Sequence, residues 1–168
     1  STNDHGLPHD PFKAIVSPRP IGWISSVGAD GSANLAPYSF FNAFSSRPPL
    51  VGFSSEGRKD SVSNIAESHE FVCNLATFAL RDAMNVTSAP LPRGQSEFDY
   101  AQLEMAPSHL VKAPRVKASP VALECKLVDI IEMKDSNGVQ VPAYLVLGHV
   151  VGIHIDEAFL VDGDAARP

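Results

Sequence analysis

Three short apolar runs within residues 19–61 constrain the fold more than any other part of the chain. They cover residues 21–27, 34–41 and 50–53, and Asp30-Gly31 lies between the first two. Because glycine adopts positive φ at little cost, Asp-Gly between two apolar runs is typical of a β-hairpin. The third run is almost wholly apolar, which favours a strand buried on both faces. The stretch therefore predicts neighbouring strands, with a loop at 45–49 before the third.

Each of these runs ends in small polar side chains, and a basic pair follows the last one. Arg58 and Lys59 stand directly before Asp60, a residue type that is common at helix starts. Hydroxyl groups, cations and the free N–H groups of a helix start bind anions, while nearby aromatic residues suit a flat ring. The pattern predicts a site for a planar, phosphorylated cofactor. Its candidate residues are Ser25, Ser26, Pro37, Tyr38, Ser39, Asn42, Ser54, Ser55, Arg58, Lys59 and Ser61.

The residues alone leave simpler explanations open for two of these features. Residues 58–61 also suit a solvated loop that caps a helix, and the serine pairs also suit solvation at a sheet edge. Pro37 lacks an N–H group, so we expect the hydrogen-bond ladder to break there and to free neighbouring groups for a ligand. Trp23, the only tryptophan, is expected to pack in the core first and to approach a ligand second.

Length and charge argue against several classes of protein. The chain of 168 residues suits one domain with a sizeable core. Its net charge of −6 argues against a nucleic-acid binder that is held by phosphate contacts. Cys73 and Cys125 lie in apolar runs, so we expect buried free thiols and a cytoplasmic protein. No apolar run approaches the roughly 18 residues of a membrane-spanning helix, and we expect no membrane partner.

The rest of the chain predicts further strands and a few short helices. We expect a short strand at 12–16, a helix from about Asp60, a strand at 70–75, a helix at 80–86 and a long loop at 87–96. Phe98 and Tyr100 are expected to fold over a site beside that loop. Long strands should follow at 121–133, with a bulge near Val128, and at 143–155. Many strands with glycine and asparagine turns predict a closed antiparallel β-barrel with peripheral helices.

No other catalytic or metal-binding motif stands out in the sequence. The chain has no Cys-x-x-Cys, no Ser-His-Asp spacing and no Gly-x-Gly-x-x-Gly after a strand. His149 and His154 are five apart on a predicted strand, so they should face opposite ways. Proline and glycine disfavour a helix around His5 and His9. We therefore predict no metal site.

Six motifs occur in a characteristic order along the chain. They are RPIGWISS at 19–26, NLAPYSFFN at 34–42, PPLVGFSS at 48–55, RKDSVSNI at 58–65, EFVCNLA at 70–76 and SEFDYAQL at 96–103. Together they resemble the flavin reductase-like family of FMN-binding split barrels, which includes the reductase components of two-component monooxygenases. The resemblance implies a mainly β, antiparallel split barrel over residues 12–163, with an N-terminal arm at 1–11. In that family further residues usually follow, so 164–168 are expected to begin a C-terminal tail that is cut short.

The resemblance also implies a function. The chain would be an NAD(P)H:flavin reductase-like oxidoreductase that transfers hydride from nicotinamide to flavin N5, and on to a free flavin or a monooxygenase partner. FMN is the implied cofactor, with FAD as an alternative, and no side chain is catalytic because the flavin carries the chemistry. In this interpretation the serine pairs contact the ribityl chain or the phosphate. The polar edge of the ring lies along Pro37, Tyr38, Ser39 and Asn42.

The resemblance further implies a homodimer with the flavin near the interface, and it leaves alternatives open. Phe40, Phe41 and Phe44 would supply the apolar centre of that interface. His149 departs from the carboxylate that resembling sequences often carry there, so no nicotinamide contact is assigned to it. One alternative is an FMN-binding electron carrier without a nicotinamide site. A weaker one keeps the barrel and binds pyridoxal phosphate or haem.

Overall fold

The centre of the computed structural model, which describes residues 5–92, 95–161 and 164–165, is an antiparallel sheet of seven strands. The strands are β1 (Gly22–Val27), β2 (Ala33–Tyr38), β3 (Phe41–Ser46), β4 (Pro49–Glu56), β5 (Glu70–Asn74), β8 (Val121–Lys134) and β9 (Gln140–Ile155). Their order across the sheet is β2-β1-β5-β8-β9-β4-β3. Two short ladders join β6 (Met105–Ala106) to β7 (Arg115–Val116), and β10 (Leu160–Val161) to β11 (Asp164–Ala165).

The helices of the described residues are short; α1 precedes the first strand and the others lie between strands. They are α1 (Phe12–Ile15), α2 (Asp60–Ser68), α3 (Arg81–Val86) and α4 (Glu97–Tyr100), with 3₁₀ turns at Phe78–Leu80 and Glu157–Phe159. Among the described residues, no helix has the length and apolar character needed to cross a membrane. The mainly β, antiparallel prediction is confirmed. The expected closure is wrong for the described residues, because no ladder joins the edge strands β2 and β3.

Strand β1 separates two hydrophobic clusters because its side chains alternate between the faces of the sheet. Ile24 packs with Val62 and Ile65 of α2 in the larger cluster, which continues to Phe53 and Phe71. The opposite face carries a second cluster, formed by Trp23, Leu35, Phe98 and Val116. The prediction that Trp23 packs in the core is therefore confirmed. The prediction that Phe98 covers a site is wrong, since its side chain is fully buried in this cluster.

Strands β8 and β9 form the long hairpin that carries the sheet from β5 to β4. Their register shifts at three places, one of them between Leu127 and Asp129, which confirms the expected bulge near Val128. Extra residues in one strand bend the pair and increase its twist. The bend lets one hairpin pair with β5 near its open end and with β4 near its turn.

Residues 12–16, predicted as a strand, instead begin with helix α1. The Asp10 carboxylate accepts a hydrogen bond from the Phe12 N–H at 3.0 Å, and the Pro11 carbonyl accepts from Ala14 and Ile15. Proline is common at helix starts because its fixed φ suits the first turn. Local capping therefore outweighs the apolar composition. The prediction of a loop at 45–49 is likewise wrong in part, since β3 continues to Ser46 and pairs with β4.

The ladder does not break at Pro37, contrary to prediction. Pairing of β1 with β2 continues through Trp23–Pro37 to Gly22–Tyr38. Strand β2 is an edge strand, and the N–H of Leu35 points away from β1 to a carboxylate of Glu97. Because N–H groups alternate sides along a strand, the nitrogen of Pro37 also faces outward, where its missing hydrogen costs no ladder bond.

Candidate functional site

A cavity of about 390 Å³ opens between the end of β2, the start of α2 and residues 87–91. Its volume lies in the range of small-molecule sites. A smaller hollow of about 130 Å³ shares Pro37, Tyr38 and Lys59 with the cavity and adds Ser39 and Ser54. The walls of the larger cavity are Asn34, Ala36, Pro37, Tyr38, Lys59, Asp60, Ser61, Thr87, Ser88, Ala89, Pro90, Leu91 and Glu97.

The N-terminus of helix α2 forms one side of the cavity. Lys59 has an extended backbone and Asp60 is the first helical residue, so the predicted helix start is confirmed to within one position. The first N–H groups of a helix lack carbonyl partners within it, and its dipole favours negative charge at this end. The exposed Lys59 side chain adds a positive charge, which Asp60 partly offsets. This side of the cavity suits an anion.

The Asn34 amide holds the floor of the cavity together. Its Oδ1 accepts a hydrogen bond from the Ser61 hydroxyl at 2.7 Å, and its Nδ2 donates to Glu97 at 3.0 Å. Ser26 lies behind it, with its hydroxyl 3.4 Å from the same Oδ1. The network joins β1, β2, α2 and α4 around one amide. Side chains fixed in this way give a cavity a defined shape before a ligand enters.

Glu97 is a buried carboxylate at the cavity wall that the sequence patterns did not single out. Burial raises its pKa, while hydrogen bonds from the Leu35 N–H and the Asn34 amide oppose the rise. Ser96 accepts a hydrogen bond from the Phe98 N–H at the start of α4, so the local signal is a capping serine followed by an acidic residue. That signal is common on exposed helices and does not reveal burial.

The Tyr38 hydroxyl is buried and makes no hydrogen bond among the described residues. Burial raises the pKa of the phenol, and the nearby hydroxyls of Ser61 and Ser55 oppose this rise. A buried polar group without a partner is costly, and such groups are rare in native proteins. Because Tyr38 lines both hollows, a bound molecule with a hydrogen-bonding group could satisfy this hydroxyl.

The structure brings six of the predicted residues to the two hollows: Pro37, Tyr38, Ser39, Ser54, Lys59 and Ser61. Ser55 and Ser26 are buried directly behind them. Ser55 donates to the Gly57 carbonyl at 2.8 Å, which holds the turn that leads into α2. These two serines support the walls rather than line them.

Three predicted residues lie away from both hollows. Ser25 faces the side of β1 opposite to Ser26, where its hydroxyl donates to the Pro114 carbonyl and accepts from the Asn74 amide. Asn42 is exposed on β3, beside an apolar hollow that contains Phe40 and Phe44. Arg58 is exposed and lines neither hollow.

Comparison with known proteins identifies the family. A family model described as a flavin reductase like domain matches residues 16–164, which is most of the chain. The chain belongs to the flavin reductase-like family. Membership implies a flavin cofactor and an oxidoreductase. The resemblance seen in the six sequence motifs is thereby confirmed.

Solved structures agree with this assignment. Nitrilotriacetate monooxygenase component B from Bacillus cereus is 31% identical, with a TM-score of 0.88 over 99% of this chain and 85% of that one. The 2-nitrobenzoate 2-nitroreductase NbaA of Pseudomonas fluorescens is 29% identical, with a TM-score of 0.80 over 94% and 77% of the two chains. A Shewanella frigidimarina protein described as a candidate flavin reductase with a split barrel domain is 23% identical and has a TM-score of 0.77, over 88% and 72%. The last likeness shows the fold alone, an antiparallel split barrel.

Proposed function

We propose that this chain binds FMN in the cavity between β2 and the start of α2 and oxidises NAD(P)H there. The observation that carries the proposal is the meeting of three features at one cavity of a flavin reductase-like chain. These are the start of α2 with Lys59, the unpartnered Tyr38 hydroxyl, and an apolar wall that includes Ala36 and Pro37. They suit, in turn, a phosphate, a hydrogen-bonding edge and a flat ring.

The roles of the chain's own residues follow from their positions. Lys59 and the first N–H groups of α2 would hold the phosphate, with Ser61 as a hydroxyl donor. Tyr38 would donate to the ligand, and Ala36, Pro37 and Leu91 would exclude water from the ring. A flavin held by these residues would supply the redox chemistry, which is hydride transfer from the nicotinamide to flavin N5 and onward transfer of the electrons. No side-chain acid or base is required for that transfer.

The electron acceptor belongs to the proposal as well. One solved relative is described as a monooxygenase component and another as a nitroreductase, so related chains serve different acceptors. We propose a free flavin or a monooxygenase partner for this chain. FAD remains the alternative to FMN as the flavin that this chain binds.

A homodimer forms part of the proposed arrangement. The apolar hollow beside Asn42 has a volume of about 490 Å³ and is lined mainly by aromatic and aliphatic side chains, including Phe12, Phe40 and Phe44. An exposed apolar surface of this kind is typical of a protein interface. Since Asn42 lies beside this hollow, its proposed contact with flavin would require the partner subunit.

An absorbance spectrum of the FMN-loaded protein, before and after anaerobic NADH and then NADPH, tests the proposal. We expect flavin bands in the loaded protein and their bleaching by one of the two nucleotides. Bands that bleach with dithionite but with neither nucleotide would favour the electron carrier without a nicotinamide site. A protein that takes up no FMN at saturation would overturn the proposed site. Bands of pyridoxal phosphate or haem in the purified protein would replace flavin as its ligand.

A further inference from the structure

A separate cavity, of about 700 Å³, lies at the end of the β8–β9 hairpin that is remote from its turn. Its walls come from residues 109–120, β8 and the end of β9, and it shares no lining residue with the two hollows of the candidate flavin site. His109, Glu124 and His154 meet at this cavity. The flavin chemistry proposed above uses none of them.

The register of β8 and β9 brings two of these side chains together. Glu124 pairs with Gly152, and Ala122 pairs with His154, so Glu124 and His154 are diagonal neighbours on one face of the sheet. His109 reaches the same place from the segment between β6 and β7. The two imidazole rings lie edge to face with their centroids 4.7 Å apart. A ligand atom from each of the three residues lies within 4.8 Å of the others.

Glu124 is a fully buried carboxylate with its orientation fixed by backbone groups. The N–H groups of His109, Leu110 and Val111 donate to its two oxygens at 2.9, 2.5 and 3.0 Å. Its Oε1 also meets the Nε2 of His154. Outer hydrogen bonds that hold a carboxylate in this way are typical of metal sites.

We propose that His109, Glu124 and His154 bind one divalent first-row metal ion, for which zinc is the best match. Zinc takes imidazole and carboxylate ligands at about 2.0–2.2 Å in tetrahedral geometry. The ligand atoms lie within 4.8 Å of one another, and one ion would draw the exposed His109 ring inward and move the His154 ring away from Oε1. An ion would take the Oε1 lone pair that now faces His154. The fourth position would open to the cavity and hold water.

A metal ion accounts for the meeting of all three side chains, which a hydrogen-bonded pair alone does not. A His–Glu pair accounts for Glu124 and His154 but gives no role to the second imidazole beside them. An ion would tie residues 109–111 to the β8–β9 hairpin and would leave one coordination position for a small ligand. This inference does not rest on the proposed flavin chemistry.

Titration of the full chain, free of any affinity tag and stripped of metals, with Co²⁺ tests the proposal. We expect one equivalent of Co²⁺ to produce the intense visible bands of four-coordinate cobalt, and Zn²⁺ to abolish them by displacement. His109→Ala and His154→Ala should each weaken binding at least tenfold. Glu124→Gln is unsuitable as the main variant because it disturbs the acceptor of three backbone N–H groups.

Two controls separate this site from other histidines. His149→Ala removes a histidine from the same strand but outside the cavity, and His5→Ala/His9→Ala removes the two near the N-terminus. Both should bind Co²⁺ as the original chain does. Circular dichroism and urea unfolding establish that every variant is folded. Absence of cobalt binding by the original chain, or equal loss in the control variants, would overturn the proposal and leave a hydrogen-bonded His–Glu pair.

Discussion

Lys59 and Arg58 are adjacent cations with different surroundings, which makes them a matched pair for testing the phosphate position. Lys59 lines both hollows, whereas Arg58 is exposed and lines neither. A charged hydrogen bond is worth about 1.5–3 kcal/mol, or roughly a 10- to 150-fold change in Kd. We expect Lys59→Ala to weaken FMN binding by this amount. Riboflavin has no phosphate, so its binding should weaken much less. Fluorescence titration measures both affinities.

Arg58→Ala is the control for that experiment. The sequence pattern assigns both cations to the phosphate, so it predicts that either change weakens FMN binding more than riboflavin binding. The placement of the two side chains predicts a smaller loss for Arg58→Ala, through long-range charge alone. If Lys59→Ala weakened the binding of FMN and of riboflavin equally, the phosphate would have to lie elsewhere in the cavity.

Glu97 gives the stability of the protein a distinctive dependence on pH. Burial raises the pKa of Glu97 in the folded chain above the ordinary 4.5. At a pH between the unfolded and the folded pKa, the folded chain therefore binds more protons than the unfolded chain. Its contribution to stability is therefore complete below about pH 4.5 and is lost as pH rises through the folded pKa. We expect the unfolding free energy of the original chain, minus that of Glu97→Gln, to fall as pH rises. Urea unfolding across this range measures it.

Glu104 provides a control of opposite sign. Its exposed carboxylate pairs with Lys117 at 2.6 Å, which lowers its pKa. The corresponding difference for Glu104→Gln should rise with pH, by a small amount because solvent screens the pair. The difference in unfolding free energy between the original chain and Glu97→Gln should fall with pH. If it stayed constant or rose, it would contradict the assignment of a raised pKa to Glu97.

At the scale of single residues, the sequence identified the small polar and basic side chains of the cavity but not Asn34 and Glu97, which connect them. Ser25 and Ser26 look equivalent in the sequence, yet alternation along β1 sends one to the Asn74 side and the other to the Asn34 side. Glu97 lies more than 60 residues from Asn34, its amide partner. Such a contact depends on how α4 packs against β2, and no local pattern encodes it.

Strand β9 crosses the core at Gly148, and this crossing is sensitive to a single methyl group. A Cβ at Gly148 would overlap the Phe71 ring and lie 3.2 Å from the Cβ of Cys125. Overpacking of this kind costs about 1–3 kcal/mol. We expect Gly148→Ala to lower the unfolding free energy by that amount, as measured by urea unfolding.

A double-mutant cycle locates the cause of that loss. Phe71→Leu removes the ring that the new methyl group meets, so Gly148→Ala/Phe71→Leu should lose less stability than the sum of the single changes. Gly152→Ala on the same strand should cost less than Gly148→Ala, because its nearest neighbour is the end of the exposed Leu110 side chain. Strict additivity in the cycle would show that Phe71 is not the obstacle.

The elements themselves were predictable where apolar runs and turn residues coincide. The β1–β2 hairpin around Asp30-Gly31, helix α2 and the long β8–β9 pair follow from such patterns. The predictions failed where a neighbour decides the outcome. Capping by Asp10 makes residues 12–15 helical, the outward direction of the Pro37 nitrogen preserves the ladder, and burial beside Trp23 removes Phe98 from the surface.

At the scale of the whole molecule, the open edge of the sheet and the apolar hollow beside it bear on assembly. The hollow lies on β3, an edge strand, and Phe44 there is 54% exposed. Edge strands with exposed apolar side chains favour pairing with another chain. One chain therefore presents a surface that a second copy could cover, next to the strand that carries Asn42.

The last prediction concerns that second copy. We expect the protein to sediment as a homodimer at micromolar concentration, and Phe44→Arg to weaken the dimer at least tenfold, because a buried charge without a partner is costly at an interface core. Phe78→Arg is the control, since Phe78 is 81% exposed and lies outside the hollow. If Asn42 reaches the flavin of the partner subunit, FMN affinity should fall together with dimer stability in Phe44→Arg. A monomer in the original chain, or equal dissociation of both variants, would place the interface elsewhere.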